Sequence, residues 1–177
     1  GALGDQDGIV AAIGTGSVFA AQRKGQVRHL GGWGLVLGDE GSGAWIGRAI
    51  LSAALRAVDG FHPVTPLLES VLAAHGGPSG VVAFSLTAKP GDFARLAPQV
   101  VDSDDPAAKA IMARASADVA DCIALLQGAD RLPVVFLGGL GAHHAAALHH
   151  RWPQQPAKGS ALDGALALAF GLWQGAA

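Results

Sequence analysis

The sequence predicts an α/β fold in which a mixed β-sheet opens with an antiparallel meander and a helical insertion separates its third and fourth strands. Two uncharged apolar runs, GIVAAI at residues 8–13 and LPVVFL at residues 132–137, each stop at glycine, which is typical of buried strands ending in tight turns. From Ser42 onwards apolar residues recur every three or four positions, as they do in helices. With 177 residues, 50% of them hydrophobic, the chain can bury a core.

The first three strands form the meander. Residues 17–22 and 26–30 follow the first apolar run as shorter strands, and Arg23-Lys24-Gly25 has the polarity and the glycine of a hairpin connection. The fourth strand, at residues 132–137, ends at Gly138-Gly139 and leads directly into a helix.

Helices are predicted for the middle and the end of the chain. A long helix covers residues 43–59, with Gly60 at its C-terminal cap. Thr65 and Pro66 supply a capping hydroxyl and a first-turn proline for the next helix, which runs to about His75. The other predicted helices cover residues 78–84, 91–96, 104–127, 142–150 and 160–173.

The composition disfavours several classes of protein. Net charge is −2, and no run of basic residues is longer than Arg23-Lys24, so neither nucleic acid nor an anionic membrane is an expected partner. The single cysteine, Cys122, cannot form an internal disulfide and is expected to be a small buried residue of a cytoplasmic protein. Neither a membrane span nor a signal peptide is recognisable.

The first candidate site is the turn Gly14-Thr15-Gly16-Ser17, between the first two strands. Glycines leave backbone N–H groups unobstructed, and the Thr15 and Ser17 hydroxyls are expected to face the same side. Phosphate oxygens suit such a lining. The alternative is an ordinary glycine hairpin, because short glycine motifs have little specificity.

The second candidate site is the glycine-rich stretch from Gly31 to Gly43. Gly32, Trp33 and Gly34 would let backbone and an aromatic face approach a ligand, and Asp39 could accept hydrogen bonds from sugar hydroxyls or hold a hydrated metal ion. The alternative is that Asp39 caps the long helix and Trp33 fills the core.

Two further features are weaker. Gly138-Gly139, between a buried strand and a helix, is similar to turns that approach nucleotides, although such a turn also serves simply to enter a helix. The pairs His143-His144 and His149-His150 have no Cys, Asp or Glu nearby at ligand spacing, so we expect solvated helix surface and no metal site.

Taken in order, these motifs resemble a known family. IGTGS, GGWGLVLGDEGSGAWIG, a helical insertion, VVFLGGLG and GSALDGALALAFG are similar to the C-terminal lobe of the BadF/BadG/BcrA/BcrD ATPase family, in its N-acetylglucosamine and glucosamine kinase branch. The family belongs to the actin, hexokinase and Hsp70 superfamily. The resemblance implies a ribonuclease-H-like, actin-like ATPase lobe over residues 1–177, with a helical insertion at 61–103.

The resemblance also implies an activity and its residues. ATP, with Mg²⁺, would phosphorylate an amino sugar in a cleft between two lobes, and the family allows for a homodimer. The residues matched to ATP binding are Gly14, Thr15, Gly16, Ser17, Ala97, Gly138 and Gly139. Those matched to the sugar are Gly32, Trp33, Gly34 and Asp39.

Part of the machinery has no match here. The resemblance places the first phosphate loop and the catalytic aspartate before Gly1, so we expect the chain to be a piece of a longer protein and to be inactive alone. Asp5 and Asp7 lie too late to be that base. The alternatives are an ATPase activator of a 2-hydroxyacyl-CoA dehydratase or benzoyl-CoA reductase, which needs cluster cysteines, and a non-catalytic sugar-sensing domain.

Overall fold

The sheet is mixed and has the strand order β3-β2-β1-β4. A computed structural model describes residues 1–129 and 131–175. The strands are β1 (Gly8–Ile13), β2 (Ser17–Arg23), β3 (Gln26–Gly31) and β4 (Val134–Leu137). The first three pair antiparallel in chain order, whereas β4 pairs parallel with β1. The predicted meander and mixed sheet are therefore confirmed.

Six helices lie between β3 and β4, and two follow β4, in the part of the chain that the structure describes. They are α1 (Gly43–Val58), α2 (Pro66–Ala74), α3 (Pro78–Thr87), α4 (Pro90–Ala94), α5 (Ala97–Val101), α6 (Pro106–Gln127), α7 (Gly141–Leu148) and α8 (Ala161–Gly175). Several limits differ from the prediction: α3 continues to Thr87, β4 begins at Val134, and α7 ends at Leu148. The sequence does not predict α5 as a helix of its own. The range 61–103 contains α2 to α5.

Short polar side chains begin the helices that matter most for the site. Ser42 caps α1 and accepts a hydrogen bond from the Trp45 N–H, and Asp105 caps α6 in the same way through the Ala107 N–H. Pro106 follows Asp105 in the first turn, where a missing N–H costs nothing. Since Ser42 is the cap of α1, the interpretation of Asp39 as that cap is wrong.

The core lies between the sheet and α6, and it continues between α6 and α1. Ile9, Ala11 and Ile13 alternate along β1 and are fully buried, as are Val119 and Ile123 of α6. The end of α6 is fixed by Arg23 of β2, whose guanidinium donates to the Leu126 and Gln127 carbonyls. Because β1 and β4 run parallel, their C-terminal ends meet at one edge of the sheet, and the turns after them come together there.

Candidate functional site

The turn at Gly14-Thr15-Gly16 is held against the start of α1. The Gly43 and Ala44 N–H groups donate to the Gly14 and Thr15 carbonyls at 2.8 and 3.1 Å, so the first N–H groups of α1 are already used. Thr15 is exposed, and among residues 1–129 and 131–175 its N–H and that of Gly16 have no backbone acceptor. The turn itself can thus offer N–H groups and one hydroxyl to an anion.

Contrary to the sequence prediction, the Ser17 hydroxyl does not face the open side of the turn. It is 5% exposed, and its Oγ donates to the Glu40 carbonyl at 2.9 Å. Its own carbonyl accepts from the Gly32 N–H at 3.1 Å. Ser17 therefore ties the two glycine-rich stretches together, and of the two hydroxyls only that of Thr15 is exposed.

Asp39 lies where these two stretches meet. It is 7% exposed and has a left-handed backbone, with a φ of 58°. A Cβ atom added to Gly16 would lie 2.7 Å from Asp39 Oδ2, so only glycine leaves room for this carboxylate. In the described part of the chain no group donates a hydrogen bond to the carboxylate, although neither oxygen is sealed from solvent. Such a nearly buried acceptor is suited to a ligand that donates.

The loop from Gly31 to Gly38 presents an aromatic side chain. Gly31, Gly32 and Gly34 all have φ values near +80°, which favour glycine. Trp33 is 75% exposed, so the interpretation that it fills the core is wrong. Arg48 of α1 fixes the loop by donating a hydrogen bond to the Leu35 carbonyl at 2.9 Å.

The third glycine turn packs directly against the first. Gly138 has a φ of +85°, and a Cβ atom there would lie 2.3 Å from the Ile13 carbonyl oxygen. The Leu140 N–H donates to that same oxygen at 3.1 Å. Gly139 has no atom within 4 Å of its added Cβ position, so its surface is open to a ligand. Three of the predicted glycine turns therefore converge at the C-terminal end of β1.

Ala97 is buried and does not contribute to these open surfaces. It begins α5, is 4% exposed and belongs to the hydrophobic core cluster. Its nucleotide contact stays a prediction.

One histidine, His144, differs from the prediction of solvated helix surface. His143, His149 and His150 are exposed as expected, but His144 is fully buried. Its Nε2 lies 2.9 Å from the Gly41 carbonyl oxygen, and its Nδ1 lies 3.1 Å from Ser116 Oγ. The signal in the sequence was the spacing of three residues. Gly141, His144 and Leu148 are three and four positions apart, so they share one face of α7, and this face is the buried one.

Burial lowers the pKa of His144, and the nearby His143 lowers it further, against the opposing effect of the Gly41 hydrogen bond. A carbonyl oxygen can only accept, so Nε2 carries the proton, and Nδ1 accepts from the Ser116 hydroxyl. His144 is therefore a neutral donor to the loop that contains Asp39.

The thiol of Cys122 is half-buried in α6. Burial, followed by the carboxylates of Glu40, Asp118 and Asp121, raises its pKa to about 11, so it is protonated at neutral pH. In the described residues no three His, Cys, Asp or Glu side chains form a group that could hold a metal ion. None of the described helices is long and apolar enough to cross a membrane.

Sequence comparison identifies relatives of this chain. Residues 1–150 match the model of the BadF/BadG/BcrA/BcrD ATPase family. The chain is 31% identical over 133 residues to the glucosamine kinase GspK of Vibrio cholerae, a match that covers 72% of this chain and 45% of that protein. It is 41% identical over 73 residues to the N-acetyl-D-glucosamine kinase of Dictyostelium discoideum, covering 41% and 23%. The chain thus spans less than half the length of these relatives.

Structure comparison gives the same picture. The chain superposes on the crystal structure of a candidate N-acetylglucosamine kinase from Chromobacterium violaceum with a TM-score of 0.83 and 38% identity, covering 95% of this chain and 61% of that one. A Porphyromonas gingivalis structure at 24% identity and a TM-score of 0.68 agrees in fold. The predicted actin-like α/β fold is confirmed. With its family match over residues 1–150, this chain belongs to the BadF/BadG/BcrA/BcrD ATPase family.

Proposed function

We propose that the whole protein, meaning this chain with any residues that adjoin it, transfers the γ-phosphoryl group of ATP to a hydroxyl of glucosamine or N-acetylglucosamine. One observation carries the proposal. The nearly buried Asp39 carboxylate has no hydrogen-bond donor among the described residues and lies against Gly16, in the turn whose N–H groups could bind an anion. A hydroxylated ligand on Asp39 would then sit beside a phosphate on that turn, which is the juxtaposition that phosphoryl transfer requires.

The nucleotide side consists of the two turns that meet at the end of β1. The Thr15 and Gly16 N–H groups and the Thr15 hydroxyl would donate to phosphate oxygens, and the open face at Gly139 would admit the adenosine. Ser17 would act through its backbone, because its hydroxyl is bonded to Glu40. Mg²⁺ bound with ATP would neutralise charge on the transferred group.

The sugar side consists of Asp39 and the loop before it. Its carboxylate would accept hydrogen bonds from sugar hydroxyls, which are charge-assisted and therefore strong. The exposed indole of Trp33 would pack on the apolar face of the ring, and Gly32 and Gly34 would let the backbone approach. These contacts orient the sugar, and orientation supplies much of the catalysis in phosphoryl transfer.

The general base is not assigned within this chain. Asp7 has a structural partner, since its Oδ1 accepts the Lys24 N–H of the hairpin at 2.6 Å. We propose that the base precedes Gly1 in the whole protein, and that the enzyme works in the cytoplasm, where ATP and amino sugars are available.

A kinase assay on the whole protein tests the proposal. ATP-dependent phosphorylation of glucosamine or N-acetylglucosamine is expected, and no product across a panel of amino sugars would contradict it. Iron and acid-labile sulfide in protein purified without oxygen would instead favour the activator ATPases. The activator role needs cluster cysteines on each subunit, whereas this chain has the single, half-buried Cys122, which favours the kinase.

A further inference from the structure

His144 connects two segments of the candidate site that are far apart in sequence. Its Nε2–H donates to Gly41, two residues after Asp39, and α7 starts directly after the turn at Gly138. The Nδ1 atom is held in turn by Ser116 of α6. One neutral imidazole therefore joins α6, α7 and the loop before α1.

The backbone at Gly41 packs closely against α6. A Cβ atom on Gly41 would lie 2.4 Å from Val119 Cγ2 and 3.0 Å from the Ala115 carbonyl oxygen, so the backbone is pressed against α6. The next residue, Ser42, donates its N–H to the Asp39 carbonyl at 3.1 Å. A shift of the Gly41 peptide would thus displace Asp39.

We propose that His144 is a positioning residue of the candidate site, acting through the Gly41 carbonyl to hold Asp39 at its place beside Gly16. The assignment rests on the proposed function for its effect on the sugar. It does not make His144 catalytic, because the side chain is fully buried and touches the loop, not the ligand.

The other end of the connection is anchored independently. The hydrogen bond from the Leu140 N–H to the Ile13 carbonyl does not involve the His144 side chain, so we expect it to keep the turn at Gly138 against β1. On the loop side Ser17 still holds the Glu40 carbonyl, but among the described residues the Gly41 carbonyl has no donor other than His144. Loss of the imidazole should therefore disturb the Gly41 peptide and Asp39 more than the nucleotide turn. This asymmetry separates a positioning role from simple core packing.

The test compares His144→Leu, which keeps an apolar volume without a donor, with His144→Gln, which keeps an N–H donor. In the whole protein we expect the sugar KM to rise about tenfold for His144→Leu and to stay within about threefold for His144→Gln, with the ATP KM little changed in both. His143→Gln, an exposed neighbour, is the matched control. Equal sugar KM values in the two His144 variants, or a sugar KM unchanged in His144→Leu, would overturn the proposal.

Hydrogen exchange supplies a readout independent of activity. Without substrate, the Ser42 amide should exchange about tenfold faster in His144→Leu than in the unaltered protein, whereas the Ile9 amide of β1, which donates to Pro133, should not change. Acceleration of both amides alike would indicate global destabilisation and would overturn the proposal. If the unaltered protein phosphorylates no amino sugar, the proposed function fails, while the exchange result still decides whether His144 holds the loop.

Should His144→Leu fail to fold, Ser116→Ala replaces it. This change removes only a hydroxyl from a half-buried position and leaves Nδ1 without its donor. We expect the sugar KM to rise about threefold, with faster Ser42 exchange. An unchanged Ser42 exchange rate would contradict the positioning role.

Discussion

The carboxylate of Asp39 occupies the space that a side chain at position 16 would need, since Oδ2 lies 2.7 Å from the Cβ position of Gly16. Because Gly16 has no side chain, the Asp39 carboxylate can lie against the turn. This relationship brings a proposed sugar acceptor against a proposed phosphate turn, and it is the basis of the first two predictions.

Asp39→Asn should impair sugar binding. The amide keeps the shape but loses the charge that strengthens hydrogen bonds from hydroxyls, so the sugar KM of the whole protein should rise at least about tenfold. The ATP KM should change much less. Steady-state kinetics with each substrate varied gives both values, and Asp102→Asn, on an exposed residue, is the control. A sugar KM unchanged in Asp39→Asn would remove its assigned role.

Gly16→Ala should act through the same carboxylate. The added methyl group must displace Asp39, and we expect the sugar KM to rise about tenfold, whereas Gly91→Ala has open space and should leave it unchanged. Because both changes disturb one contact, the double variant with Asp39→Asn should be little worse than either single variant. Fully additive effects would show that Gly16 and Asp39 act separately.

Thr15→Val should weaken the use of ATP. The substitution removes the exposed hydroxyl of the turn at nearly constant volume, so the ATP KM should rise about tenfold while the sugar KM stays the same. Thr87→Val, at an exposed helix end, is the control. A larger effect on the sugar than on ATP would reverse the assignment of the two sides.

Gly41→Ala should destabilise the fold. Its φ of +73° and its contact with Val119 predict a loss of about 2–4 kcal/mol in the free energy of unfolding. Gly60→Ala isolates the backbone contribution, because Gly60 has a φ of +84° but open space around it, and should cost only about 1 kcal/mol. Urea unfolding measures both, and equal losses would show that the packing against α6 is unimportant.

The burial of His144 predicts a pH dependence of stability. Its pKa in the folded state lies below the ordinary value of 6.5, so the unfolded chain takes up a proton first as the pH falls. Its contribution is complete above pH 6.5 and decreases as the pH falls towards the lowered pKa. The free energy of unfolding should therefore drop less between pH 7.5 and 5.5 in His144→Gln than in the unaltered protein.

The exposed His143→Gln should keep the full drop, and an equal drop in all three proteins would show that His144 does not titrate differently on folding. Hydrogen bonds and nearby charges lower the pKa of Asp92, Asp104, Asp105 and Asp163, so these carboxyl groups titrate below the interval. Burial raises the pKa of Asp118, but this group is the same in all three proteins and does not affect their comparison.

Local signals in the sequence predicted much of the fold. The β1 strand ends at Ile13 because Gly14 follows, and α6 begins at Pro106 because Asp105 can cap it, so these limits depend on adjacent residues. The partners of His144 could not be read in this way, since Gly41 lies 103 residues away and Ser116 lies 28 residues away.

In the candidate site, too, some features depend on adjacent residues and others on distant contacts. The glycine turns at Gly14 and Gly138 were recognisable because each interrupts an apolar run. Their contact with one another depends on the parallel pairing of β1 and β4, and the inward direction of the Ser17 hydroxyl depends on the Glu40 carbonyl across the site. The sequence predicts which segments form the candidate site, whereas tertiary packing decides which of their groups remain open to a ligand.

Phosphoryl transfer by the whole protein tests the proposed function together with the role of Asp39. The measurement is the formation of sugar phosphate and ADP from ATP, with glucosamine and with N-acetylglucosamine, in the unaltered protein and in Asp39→Asn. We expect sugar phosphate and ADP in equal amounts with at least one of the sugars, and a sugar KM higher by about tenfold or more in the variant. Absence of sugar phosphate with every amino sugar, or full activity of Asp39→Asn at low sugar concentration, would contradict this expectation.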